Sequence, residues 1–222
     1  MKLEKLLKQQ WTKLDKYHIP EPTKQEAVLL SFAKGEFLCL EGERFPYLLL
    51  LIKGKVKVCI TEANGKTLLL SFYYPGAVLG DVELMLDGVG TTNVTAITPV
   101  TCIGIPMKAC KLALNQNLTF MKCTARTIAE KFVTSSKHNT TNMLYTIENR
   151  LCAYIEATNE NGYFQENLTE IAELLGTSYR HLLRSMASLC EHGVLKKCSR
   201  TNYKIVDFYA LREKATDCFL NY

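Results

Sequence analysis

The chain has 222 residues, 47% of them apolar and 22% charged, with 27 Lys+Arg against 22 Asp+Glu for a formal net charge of +5. Those values are globular and exclude a disordered chain, a collagen-like fibre and a bundle of membrane helices. A mildly basic total indicates a polyanionic partner only where the charge is unevenly placed, and 222 residues are enough for one large domain or two modest ones.

Residues 1–22, MKLEKLLKQQWTKLDKYHIPEP, form a charged amphipathic stretch without a continuous apolar core or a small-residue cleavage site. It reads as a helical leader and not as a secretion signal. No run of eighteen apolar residues follows anywhere, so the expectation is a soluble, cytoplasmic protein with no membrane partner.

All six prolines fall at or before Pro106, and nine of the twelve glycines lie between Gly35 and Gly104. Residues 23–108 are therefore strand-and-turn chemistry, and the rest is helical. Turn signals stand at Lys53-Gly54, Asn64-Gly65, Pro75-Gly76 and Asp87-Gly88. Between them run Tyr47 to Ile52, Val56 to Thr61, Thr67 to Tyr73 and Thr92 to Ile97, rich in β-branched and aromatic residues. Short, evenly spaced strands predict a β-barrel or jelly roll.

Residues 109–142 change period. Leu118, Met121, Ala125, Ile128 and Phe132 follow steps of three and four, an apolar seam on one side of a long helix. The seam either packs on the β-domain or also pairs with its twin in a homodimer. The polar stretch 134–142 reads as a hinge, after which Leu144, Ile147, Leu151 and Tyr154 draw a second seam.

Residues 143–222 hold the most informative segment. Asn167 followed by Glu170 resembles a capping box, and Ile171, Leu174 and Leu175 form the stripe of a short helix that Gly176 ends. Thr177 or Ser178 caps the next helix, Ala172 supplies the small residue that close approach needs, and Leu182, Met186 and Leu189 bury one face. The other face carries Arg180, Arg184 and Ser188, with Tyr179 and His181 near the N-terminal end, where a recognition helix meets base edges. Ser185 stands where a helix-turn-helix usually has an apolar contact, which leaves a generic helical hairpin open. Val194 to Cys198 and Tyr203 to Val206 flank Ser199-Arg-Thr-Asn202 at the size and place of a wing.

The charge is sorted along this region. From Glu148 to Glu173 six carboxylates face one arginine, net −5; from Arg180 to Lys204 six cations, Lys196, Lys197 and Arg200 among them, face Glu191 alone, net +5. Such a cluster suits phosphate contacts and salt-dependent binding to double-stranded DNA.

Two other readings compete. A cupin-like metalloenzyme needs histidines on the barrel strands, and His18, His138, His181 and His192 all lie outside them; no catalytic arrangement stands out either, so the expectation is that the chain is not an enzyme. A small-molecule sensor without DNA binding is the third. The nine cysteines show no C-x-x-C spacing and read as mostly buried thiols, although Cys102, Cys110 and Cys123 crowd one region and leave a redox switch open.

IKGKVKV (52–58), the turn pairs, Gly80-Asp-Val-Glu-Leu84, Pro106-Met-Lys108, Asn149-Arg-Leu151 and Ser178-Tyr-Arg-His-Leu-Leu183 together resemble the Crp/Fnr family of bacterial transcription regulators. Within it they are most similar to the YeiL-type branch. The resemblance implies an α+β chain with a cyclic-nucleotide-binding-like β-roll, a dimerising helix and a winged helix-turn-helix. It further implies a homodimer on a two-fold symmetric operator, and RNA polymerase as a partner if the protein is an activator. DNA contacts carry over onto Ser178, Tyr179, Arg180, His181 and Arg184, with Asn167 a phosphate-contacting cap. Effector-pocket positions fall on Gly80, Asp81, Thr91, Thr92, Thr134 and Ser135. Asp81 replaces the glutamate, and Thr91 the arginine, of members that bind cyclic AMP, so a cyclic phosphate has no cationic fork. The first 38 residues contain no cysteine, against an iron–sulfur cluster. No cofactor and no metal are expected.

Overall fold

The computed structural model describes residues 2–6, 11–61, 63, 65, 67–86, 88–199, 201–215 and 220–221, without the side chains of 137–144 and 220–221. Asn64, Asp87, Arg200 and Cys218 therefore lie outside the described residues, as do the side chains of His138 and Leu144. By contacts the chain forms two compact units, residues 1–60 with 73–134 and 221–222, and residues 61–72 with 135–220.

The first unit contains β1 (Lys2–Lys5), α1 (Thr12–Asp15), α2 (Glu21–Lys24), β2 (Val28–Phe32), β3 (Phe37–Cys39), β4 (Tyr47–Lys53) and β5 (Val56–Thr61). After β6 (Thr67–Tyr73) it continues with β7 (Val78–Leu79), α3 (Asp81–Met85), β8 (Asn93–Ala96), β9 (Val100–Pro106), α4 (Met107–Gln116) and the first part of α5 (Leu118–Leu144). One sheet has the order β1-β2-β9-β4-β7, and in a second β8 pairs antiparallel with both β3 and β5. β4 reads Leu48-Leu-Leu-Leu51 and all four are buried, the signature of a strand covered on both faces. The turn after it needs Gly54, at φ 93°, because a Cβ there would sit 2.3 Å from the Pro99 carbonyl oxygen.

Two expectations change. The leader begins with a strand and not a helix: β1 pairs antiparallel with β2, Leu3 opposite Leu30. An unpaired strand edge is a template for any extended segment, and among the described residues of the leader helical turns form at α1 and at the start of α2. The polar stretch 134–142 is no interruption either, since α5 runs through it to Leu144 and breaks at Tyr145-Thr146. Thr, Ser, Asn and Lys lower helix propensity without ending a helix as Gly or Pro does.

The second unit holds α6 (Ile147–Thr158), β10 (Tyr163–Gln165), α7 (Leu168–Leu174), α8 (Tyr179–Glu191), β11 (Leu195–Lys197), β12 (Asn202–Ile205) and α9 (Phe208–Ala215). Its core centres on Tyr154 of α6, whose ring meets Phe72 at 5.7 Å and Phe164 edge-on at 6.2 Å. Ile147, Leu151 and Tyr154 of the second seam are all buried here. α6 and α9 are tied by Lys214 to Glu148 at 2.8 Å and Arg212 to Glu156 at 2.9 Å.

Candidate nucleic-acid interface

Both helices of the 167–191 segment are capped as their sequence requires. The Asn167 side chain accepts from the Thr169 N–H at 3.0 Å and donates to Glu170 at 2.8 Å, so its amide is committed to the cap of α7. Glu170 thus meets the cap side chain, where a capping box would have it meet the cap backbone. Gly176 takes φ 61°, the left-handed turn that glycine permits. Ser178 then caps α8, accepting the His181 N–H at 3.2 Å. Ala172, Leu182, Met186 and Leu189 are buried.

Ser185 is buried among them, and its hydroxyl donates to the His181 carbonyl at 3.3 Å. That back-bond within the helix satisfies the polar atom, so serine at an apolar position does not disrupt the packing. Ser188, read as part of the outward face, instead donates to Glu148 of α6 at 3.0 Å. His192 caps the C-terminal end of α8, Nδ1 2.8 Å from the Ser188 carbonyl.

Tyr179, Arg180, His181 and Arg184 are exposed along one side of α8. β10 and β11 flank β12 in the small sheet, with Lys196 opposite Lys204 and Lys197 opposite Tyr203. Lys196, Lys197 and Lys204 are exposed, and among the described residues no ion pair holds them or Arg180 and Arg184. Glu148 and Glu156, two of the region's six carboxylates, are spent inside the unit, on the pairs that tie α6 to α9.

On α5 most of the seam is uncovered by the described residues: Leu118 is 63% and Phe132 70% exposed, Ala125 is exposed, and Met121 and Ile128 are half-buried. A different side of α5 serves the roll, where Phe120 and Thr124 are buried and Lys131 reaches Asp81.

The pocket positions meet partners of their own chain. Asp81, 2% exposed at the start of α3, receives the Lys131 ammonium on Oδ1 at 2.6 Å, and the same ammonium donates to the Val78 carbonyl at 2.6 Å. Thr91 donates both its N–H, at 3.1 Å, and its hydroxyl, at 2.7 Å, to the buried Glu83. Gly80 is left-handed at φ 89° against Phe45, Thr92 is half-buried, and Thr134 donates to the Glu130 carbonyl at 2.8 Å. Ser135 is exposed. Sequence reasoning missed Lys131 and Glu83; their only signal was charge at an otherwise apolar position.

Residues 29–117 match the cyclic nucleotide-binding domain family. The regulatory protein YeiL of Escherichia coli O157:H7 is 30% identical over 177 residues, 80% of each chain. The chain belongs to the Crp/Fnr family of transcription regulators. A CRP-like cAMP-activated global transcriptional regulator of Mycobacterium tuberculosis is 23% identical over 75% of this chain and 79% of that one. Among solved structures, a Crp/Fnr regulator from Eubacterium rectale superposes with a TM-score of 0.76 at 16% identity over 95% of each chain. A CRP-family regulator from Thermus thermophilus does so at 0.65 and 19% identity over 86% and 98%. The expected family and α+β fold are borne out, and relatives that are regulators and not enzymes remove the cupin-like alternative.

In this Crp/Fnr chain five of the described thiols, Cys39, Cys59, Cys102, Cys110 and Cys152, are buried. Burial pushes Cys102 and Cys110 up to about 12 and Cys59 to about 11, so they stay protonated and inert. Cys123 and Cys190 are half-buried and Cys198 is exposed. Among the described residues no helix is long and apolar enough to cross a membrane, and no cluster of metal-ligating side chains forms.

Proposed function

We propose that the protein binds double-stranded DNA sequence-specifically as a homodimer on a two-fold symmetric operator. One observation carries this reading: Tyr179, Arg180, His181 and Arg184 line the exposed face of a capped, amphipathic α8, beside Lys196 and Lys197 of the wing, which have no ion pair among the described residues. The N-terminal turn of such a helix meets base edges and the wing meets backbone phosphates; Arg200 would add to the wing. The bare seam from Leu118 to Phe132 supplies the apolar strip that a twin helix would cover. Pairing along it would set the two recognition helices about 34 Å apart, one turn of the duplex. The protein works in the cytoplasm, where bacterial DNA lies, and contacts RNA polymerase if it activates.

The roll responds to something other than a cyclic nucleotide. Lys131 holds Asp81, and the buried Glu83 carboxylate takes both Thr91 donors, so a cyclic phosphate entering there would meet negative charge and no arginine. A signal in or near the roll would act by shifting how the seam pairs, with the break at Tyr145-Thr146 as the joint.

The test is selection of bound sequences from a random DNA pool by purified protein, with and without reductant and cyclic nucleotides. A two-fold symmetric motif enriched equally with and without cyclic AMP is expected. Absence of any enriched motif would refute the DNA reading, and enrichment only with cyclic AMP would refute the account of the roll.

A further inference from the structure

Under α5, inside the first unit, lies a cleft of about 430 Å³ with Tyr17, Tyr73 and Tyr74 among its walls and Thr127 and Lys131 on its helix side. It shares Tyr17, Val78 and Thr127 with a narrow inner chamber of about 20 Å³, which Leu48, Leu50, Phe120, Cys123 and Asp81 also line. The chamber has room for one water-sized group.

The charged groups facing the cleft are already committed. Lys131 is held by Asp81 Oδ1 and the Val78 carbonyl, and its ammonium sits 5.2 Å from the Tyr73 ring centre. Glu130 is paired with Arg126 at 3.0 Å. Lys16, at the rim, lies over its neighbour Tyr17. A charged ligand would therefore find no unpaired counterion at depth. The hydroxyl protons of Thr124, Thr127 and Tyr17 are spent as well: Thr124 donates to the Phe120 carbonyl, Thr127 to the Cys123 carbonyl and Tyr17 to the Gly76 carbonyl.

One strong acceptor remains. Asp81 Oδ2 is buried and has no hydrogen-bond partner among the described residues. A buried carboxylate oxygen calls for a donor. A lone water in so apolar a chamber would have too few polar partners to stay, whereas a hydroxyl carried on a ring is held there by the ring's own contacts with the cleft wall.

We propose that this cleft binds a small, uncharged aromatic molecule with one hydroxyl donor, a phenol by class. The ring would lie among the tyrosines and the hydroxyl would enter the inner chamber to donate to Asp81 Oδ2. A site of this kind is concave and mostly apolar, with a few placed polar groups that fix orientation. The ligand would touch Cys123 and Thr127 on the roll side of α5, and it is an effector only if the regulator reading above holds; binding itself does not depend on that reading.

The probe is 4-ethylphenol, titrated calorimetrically into the full chain without DNA, beside its methyl ether 4-ethylanisole, which keeps the ring and lacks the donor. Saturable binding at one site per chain is expected, with the ether at least about 30-fold weaker, since a site built around a hydroxyl rejects the analogue lacking it. Cys123→Phe places a ring in the chamber that Cys123 lines and should abolish binding of the phenol. Equal affinity for phenol and ether, no phenol binding up to its solubility limit, or unchanged binding by a folded Cys123→Phe variant would each overturn the proposal. The ether comparison uses the unaltered protein, so it decides even if the variant fails to fold. Loss of DNA recognition would be seen separately, in the sequence selection.

Discussion

On α8 and the wing, Arg180, Arg184, Lys196, Lys197 and Lys204 reach solvent with no ion pair among the described residues, whereas in the roll Lys131 sits on Asp81 and Glu83 takes both donors of Thr91. In the first region Glu148 and Glu156 are paired with Lys214 and Arg212 of α9 and not with the cations of α8 and the wing. In the second the chain's own groups take Asp81 Oδ1 and both donors of Thr91, and leave Asp81 Oδ2 without a hydrogen-bond partner among the described residues. A mildly basic total thus conceals one region whose cations stand open and another whose charges meet one another, because a net charge does not record which groups are paired.

The comparison breaks first at the seam. Phe132→Glu places a charge on the exposed strip and should convert dimer to monomer in sedimentation. Affinity for a two-fold symmetric site should then fall about 10²- to 10⁴-fold, the gain that linking two heads supplies. Next comes the buried face of α8. Leu182→Ala empties a fully buried position and should lower stability to denaturant by about 2–5 kcal/mol, while Leu182→Met should cost little. The wing gives a smaller effect: Lys197→Ala should weaken binding to all DNA alike and reduce the salt slope by about 1.

The smallest effect is in pH. Burial works to raise the Glu148 carboxyl, but hydrogen bonds from Lys214 and Ser188 and the charges of Lys214 and His192 hold it below the ordinary carboxylate range. A carboxyl lowered on folding adds stability above its unfolded pKa and loses it as pH falls through the folded one. The melting temperature should therefore drop through the acid range, and Glu148→Gln should flatten that dependence.

Much of the segment 167–191 was legible because each cue there is local. Ser178, Gly176 and the Leu182-Met186-Leu189 face act within one or two turns of helix, and the structure places each as read. Ser185 looked like a defect only because its acceptor, the carbonyl four residues earlier, is invisible to a hydropathy pattern. The roll was legible in its strands and hardly at all in its pocket. Lys131 meets Asp81 across fifty residues of sequence, and Glu83 takes its donors from a loop eight residues on. β1 was misread because an amphipathic stretch next to an open strand edge is settled by that edge and not by its own periodicity. Leu118 to Phe132 can be placed on one side of α5 from their spacing, but whether a twin covers them is a property of two chains.

The most direct test compares Arg180→Ala with Lys197→Ala on the selected operator and on random DNA at one salt concentration. The account predicts that Arg180→Ala loses about 1–3 kcal/mol on the operator and little on random DNA, while Lys197→Ala loses alike on both. Equal losses on every sequence for both variants would contradict base reading by α8.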